Sequence, residues 1–158
     1  IVGPHDYKPS FMGELISNVL REKLPAIVNG GYNWVDVRDV AEAAFNAAEK
    51  GIDGDNYLVS GYWLSLPGLI GLMEKITGSK LKTPVIPFWL ARVGVPFLRL
   101  WSNITGSRPL YTHESLQILR NSSKNIVSEK ARKVLGYTAR STEQTLRDTL
   151  EWMRKINF

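Results

Sequence analysis

Five residues, Asn33-Trp34-Val35-Asp36-Val37, alternate as a strand does, with Trp34 and Asp36 on one face and Val35 and Val37 on the other. One residue further on, Asp39 has Glu42 three positions ahead of it, the pattern of a helix N-cap with a capping box. The helix then runs through Val40, Ala41, Ala44, Phe45 and Ala48, small residues that let it lie close to a sheet, and Gly51 and Gly54 close it. Asn56–Ser60 follows as a short, mostly apolar run, the kind of strand that is buried on both faces. Strand, helix and strand joined by short loops is the cadence of an α/β unit with parallel strands.

The flanking sequence is mostly helical. Phe11, Met12, Leu15, Ile16, Val19 and Leu20 form one stripe over Ser10 to Lys23, and Pro25 with Gly30-Gly31 frames a short strand at Ala26–Val28. A helix is predicted from Leu66 to Ile76, ended by Gly78, and another over Thr112–Arg120 with a threonine cap. Between them, Pro87–Leu100 is an aromatic, proline-punctuated amphipathic stretch. Asn125–Val127 reads as a short strand and Ser128–Leu135 as a helix closed by Gly136. Ser141 with Gln144 caps a last helix carrying Leu146, Leu150, Trp152 and Met153. Three strands or so are too few for a sheet that helices cover on both faces, so the sequence describes part of an α/β fold. Ile1-Val2-Gly3-Pro4 fits this, an apolar dipeptide entering a Gly-Pro turn like the end of a strand.

Composition excludes several chemistries. The 158 residues include no cysteine, which removes disulfides, thiolate metal sites and cysteine nucleophiles, and His5 and His113 are the only histidines. The formal charge of +5 is uneven. Residues 1–79 hold 6 Lys+Arg and 10 Asp+Glu, net −4, whereas residues 80–158 hold 14 and 5, net +9. A basic half can attract an anionic partner or be a solvated helical surface, and no stacking signature or arginine-rich helix-turn-helix points to nucleic acid. The longest apolar stretch, Pro87 to Trp101, is interrupted by Arg92 and Arg99 and falls short of the ~20 residues that span a bilayer. A cytoplasmic protein without a transmembrane segment is expected.

Asn33-Trp34-Val35-Asp36-Val37-Arg38-Asp39-Val40-Ala41-Glu42-Ala43 resembles the late signature of extended short-chain dehydrogenases/reductases, the NAD-dependent epimerase/dehydratase group. Three more segments match in the family's order. Ile1-Val2-Gly3-Pro4-His5-Asp6 looks like the loop after its sixth strand, and Asp55-Asn56-Tyr57-Leu58-Val59-Ser60-Gly61 like its seventh strand. The tail from Ser128 through Leu135-Gly136-Tyr137, Arg140 and Thr142 to Leu146-Arg147-Asp148-Thr149 is similar to the shared ending. Gly-Pro-His-Asp-Tyr-Lys-Pro-Ser and Lys23-Leu24-Pro25 look most like the dihydroflavonol reductase-like branch. The resemblance implies that residues 1–158 are the C-terminal part of a Rossmann-type α/β enzyme, helix-rich with a few short strands: its substrate-binding portion plus the last Rossmann strand and helices.

The same resemblance implies NAD or NADP bound by the whole protein and hydride exchange with a carbonyl or hydroxyl compound. The family's Gly-x-x-Gly-x-x-Gly is absent, and so is its Tyr-x-x-x-Lys: no lysine lies four residues after Tyr7, Tyr32, Tyr57, Tyr62, Tyr111 or Tyr137. No catalytic residue is therefore assigned, and this chain alone is expected to be inactive. Gly3 and Pro4 are the implied cofactor-side residues, and His5, Tyr7, Asn33, Trp34 and Arg38 the implied substrate-side ones. Each also has a plain reading, as a turn for Gly3 to Lys8, core for Trp34, and an ion pair with Asp36 or Asp39 for Arg38. The segment from Phe88 to Trp101 is either a lid over an apolar substrate or packed core. The other class of function that fits is a non-catalytic basic module docking a protein or membrane surface. With its unmatched apolar faces the chain is expected to self-associate, as a homo-oligomer or through exposed strand edges.

Overall fold

Serine and threonine hydroxyls start most of the helices. The computed structural model describes residues 1–94 and 112–156. Its helices are α1 (Phe11–Leu20), α2 (Val37–Lys50), α3 (Leu66–Thr77), α4 (described over residues 88–94), α5 (His113–Asn121), α6 (Glu129–Leu135) and α7 (Thr142–Lys155). Ser10, Ser65, Thr112 and Ser141 cap α1, α3, α5 and α7, accepting the backbone N–H groups of Gly13, Gly68, Ser115 and Gln144. Gly78 and Gly136 end α3 and α6 in the left-handed conformation, at φ of 71° and 68°, which a side chain would strain.

Among the described residues four short strands lie between these helices: β1 (Ile27–Val28), β2 (Gly31–Trp34), β3 (Tyr62–Ser65) and β4 (Val85–Ile86). β1 pairs in parallel with β4, and β2 pairs antiparallel with β3, from Gly31 opposite Ser65 to Trp34 opposite Tyr62. A single parallel bridge joins Val2 to Asp36.

The main core is built where α1, β1, α3 and α7 converge. It holds Ile16, Val19, Ile27, Val28, Leu69, Met73, Leu146 and Met153, with Trp34 on its β2 side. Each such side chain adds roughly 1.5–3 kcal/mol by leaving water, which makes this the largest favourable contribution to the fold. A smaller cluster of Ala43, Ala131, Leu135 and Tyr137 joins α2 to α6, the alanines permitting close approach.

The helices fall where the sequence predicts them, and so does the short strand at Ile27–Val28; the other strands do not. Asp36, not Asp39, caps α2: its carboxylate accepts the N–H of Arg38, while that of Asp39 is taken up by Arg140, so the helix begins three residues early. Residues 56–60 form no strand, because no neighbouring backbone among the described residues offers a ladder. Their end is held instead by Ser128 Oγ, which accepts the Ser60 N–H at 3.0 Å, and by the Tyr137 hydroxyl, which donates to the Ser60 carbonyl at 2.9 Å. Residues 125–127 form no strand for the same reason. The strand that does pair with β2 lies at Tyr62–Ser65, and it runs antiparallel rather than parallel. Of the amphipathic stretch 87–100, residues 95–100 lie outside the described residues, as do Trp101 and Tyr111.

Candidate active-site loop and its supports

The first residues are tied to the turn between β2 and α2. The Val2 N–H donates to the Val35 carbonyl at 3.0 Å, and the Val37 N–H donates to the Val2 carbonyl at 2.9 Å. Gly3 follows directly against Val37: a Cβ there would overlap Val37 Cγ1, so only glycine lets the loop pass this close. Gly3, Pro4 and His5 then line a cavity of about 200 Å³ with Ile1, Asp6 and Val37.

His5 has a φ of +70°, uncommon for a residue with a side chain. Its Nδ1 lies 3.3 Å from the Tyr7 hydroxyl, and its ring is 6.0 Å from that of Trp152 on α7. Tyr7 meets Trp152 edge-on at 5.4 Å. Asp6 secures the far side of the loop, accepting the Ser10 N–H at 2.9 Å and the Ser10 hydroxyl at 2.7 Å. The loop is thus held by the α1 cap on one side and by an α7 tryptophan on the other.

Below it lies a buried ionic clamp. Asp36 is 1% exposed and accepts the Arg38 N–H at 2.8 Å, Arg38 Nε at 2.9 Å and Arg38 Nη2 at 2.6 Å. Arg38 Nη2 also reaches Asp148 on α7 at 2.7 Å. Burial works against the Asp36 carboxylate, but the hydrogen bonds from Arg38, helped by Thr145, outweigh it and hold its pKa below the ordinary value. Hydrogen bonding to Asp36 raises the Arg38 pKa in turn. Asp39, 3% exposed, accepts the Arg140 backbone N–H at 2.7 Å and pairs with the Arg140 guanidinium.

The implied site residues divide into two groups. Gly3, Pro4 and His5 share one cavity with Tyr7 beside it, and Arg38 lies one residue past its Val37 wall. Arg38 is committed to two carboxylates, Asp36 as expected and Asp148 rather than Asp39. Asn33 and Trp34 do not line that cavity. Asn33 Nδ2 donates to the Ser123 carbonyl at 2.6 Å, and Trp34, 4% exposed, donates its indole N–H to the Leu64 carbonyl at 2.9 Å. Sequence reasoning missed Asp148, Thr145 and Trp152 as supports of the loop. Arg140 and Asp148, both in the family-like tail, are the charge complements of Asp39 and Arg38, and that was the available signal. Among the described residues no group of three His, Asp or Glu could hold a metal ion.

No family model matches the chain. Sterol demethylase protein B of Methylococcus capsulatus is 32% identical over 158 residues, which cover 98% of this chain and 48% of that protein. A Synechocystis sp. protein provisionally named dihydroflavonol 4-reductase is 32% identical over 165 residues, covering 99% of this chain and 47% of that one. Among solved structures, gox2253 superposes with a TM-score of 0.75 at 30% identity, over 98% of this chain and 47% of its own. UDP-glucuronic acid 4-epimerase from Bacillus cereus, solved with NAD, shares the fold at a TM-score of 0.65 and 15% identity, over 99% and 43%. The fold is therefore the C-terminal part of a Rossmann-type α/β protein, rich in helix. The chain spans about half the length of the curated relatives it matches. Over nearly its whole length it is similar to the C-terminal half of extended short-chain dehydrogenases/reductases.

Proposed function

We propose that residues 1–158 are the substrate-binding portion, with the last Rossmann elements, of an NAD(P)-dependent reductase, epimerase or dehydratase acting on a carbonyl or hydroxyl compound. The observation that carries this is the Gly3–Pro4–His5 loop, pressed onto the β2–α2 turn and lining a cavity. Ile1, Val2, Pro4 and Val37 give that cavity an apolar wall, which suits the flat nicotinamide end of a dinucleotide. The diphosphate end has no cradle in this sequence, because the glycine-rich turn is absent. When bound, the cofactor supplies or accepts hydride. This chain's share is to bind and orient: Gly3 and Pro4 pack beside the ring, His5 and Tyr7 present polar groups at the mouth, and the Asp36–Arg38–Asp148 clamp fixes the wall they stand on. Proton transfer at the substrate oxygen needs a Tyr-x-x-x-Lys pair from outside these residues.

The test is to sequence the gene upstream of Ile1 and assay its full product for NADH or NADPH oxidation against a panel of aldehydes and ketones. Both missing motifs upstream, with turnover by the full product and none by this chain, is the expected result. An upstream frame with neither motif and a product that binds no nicotinamide overturns the reading.

A further inference from the structure

Helices α4 and α5 each set an arginine one turn after an apolar residue. On α4 the pair is Phe88 and Arg92, and on α5 it is Leu116 and Arg120; a spacing of four puts both members of each pair on the same helix face. The four side chains, with Gln117, line a cavity of about 280 Å³. Its floor is apolar, since Leu116 is buried in the main core and Phe88 packs against that core. Described α4 contains no acidic residue, and on α5 the positions three and four before Arg120 are Gln117 and Leu116, so neither helix offers either arginine a carboxylate on its own face. Neither arginine belongs to any ion pair among the described residues, whereas Arg38, Arg140 and Arg147 each do. The setting is the basic half, at net +9.

Two arginines lining a cavity with an apolar floor favour one ligand chemistry. A planar fork of donors matches a carboxylate or a phosphate, and it binds more strongly when no protein carboxylate competes for it. The cavity size approaches the lower end of the usual range for small-molecule sites, ~300 Å³. We infer that the α4–α5 cavity is an anion subsite: Arg92 and Arg120 grip the carboxylate or phosphate of a small organic ligand whose apolar body lies on Phe88 and Leu116, with Gln117 hydrogen-bonding beside it. Taking that ligand as the substrate rests on the substrate-binding reading above; the anion site itself does not.

The experiment uses the full gene product and equilibrium binding, with hexanoate, hexyl phosphate and uncharged hexanol as probes, followed by calorimetry. The two anions bind and hexanol binds at least about tenfold more weakly, as expected when charge-assisted contacts dominate. Comparing hexanoate with hexyl phosphate distinguishes a carboxylate from a phosphate ligand. R92Q and R120Q each weaken anion binding about tenfold, and R120K recovers part of it, because lysine keeps the charge but loses the fork. R154Q, in a separate cavity beside α1, leaves binding unchanged. Equal affinity for hexanol and the anions, or wild-type affinity in R92Q and R120Q, overturns the inference. Nicotinamide turnover without anion binding refutes this site alone, and anion binding without nicotinamide chemistry refutes the proposed function alone.

Discussion

Asp39 and Arg140 stand 101 positions apart, yet the Asp39 carboxylate accepts the backbone N–H of Arg140 and pairs with its guanidinium. The first lies one turn into α2 and the second just before α7, so this contact joins the signature turn to the family-like tail. Asp36, Arg38 and Asp148 make a parallel connection. The energetic weight of both lies in what their loss leaves behind. A buried carboxylate without its partner costs far more than the intact pair contributes.

Asp39→Ala leaves Arg140 partly in water and is expected to cost about 2 kcal/mol, whereas Arg140→Ala strands a buried charge and costs about 3 kcal/mol or more. Urea unfolding of the two single variants and the double variant closes the cycle. A coupling energy near zero would show that the two residues touch without supporting each other.

Asp36 makes stability depend on pH with a definite sign. Its folded pKa lies below the ordinary value of 3.8, so its contribution is complete above that value. The contribution disappears as pH falls from there through the lower folded value. Asp36→Asn is therefore less stable than wild type at pH 7, and the gap narrows below pH ~4. Denaturation midpoints for both proteins from pH 7 to pH 2 check this, and parallel curves would rule it out.

Gly30 sits beneath α5. A Cβ on Gly30 would stand 2.7 Å from the Leu119 carbonyl oxygen and 2.9 Å from Leu119 Cβ, and the α5 backbone there leaves little room to give. Gly30→Ala is expected to destabilise by about 1–3 kcal/mol as an overpacking change. It also tilts α5, so the anion affinity measured at Arg120 falls with it. Chemical-shift changes limited to residues 29–31 would argue against a shift of the helix.

Association is the fourth expectation. Leu58 and Val127 are 65% and 64% exposed, and Phe45 and Ile52 are similarly bare. Where such side chains adjoin, they form the kind of apolar patch that drives association. The isolated 158-residue chain should grow in mass with concentration in light scattering. A constant monomer mass at millimolar concentration excludes it.

Helices were legible in this sequence because capping is local. Ser10, Ser65, Thr112 and Ser141 act on N–H groups within three residues, and Gly78 and Gly136 each need only their own φ. Strands depend on a neighbour, and neighbours are not local. The apolar run at residues 56–60 has the composition of a strand and no partner, while Tyr62–Ser65, with less obvious composition, pairs because the backbone of β2 is beside it. Asp36 takes the capping role expected of Asp39 for a similar reason: which of two nearby acids caps a helix depends on which is claimed by an arginine a hundred residues away. The loop at Gly3 to His5 was legible through its resemblance to relatives, but its supports on α7 were not, since Trp152 and Asp148 carry no local mark of what they face.

The clamp also orders events during synthesis. Asp36, Arg38 and Asp39 leave the ribosome about a hundred residues before Arg140 and Asp148. Until then the signature turn has a buried acid without its cation and an arginine with one of its two carboxylates. A chain that lacks α7 therefore lacks both Asp148 and Trp152, and with them a fixed Gly3 loop. The presence of α7 is thus written into the geometry of the pocket.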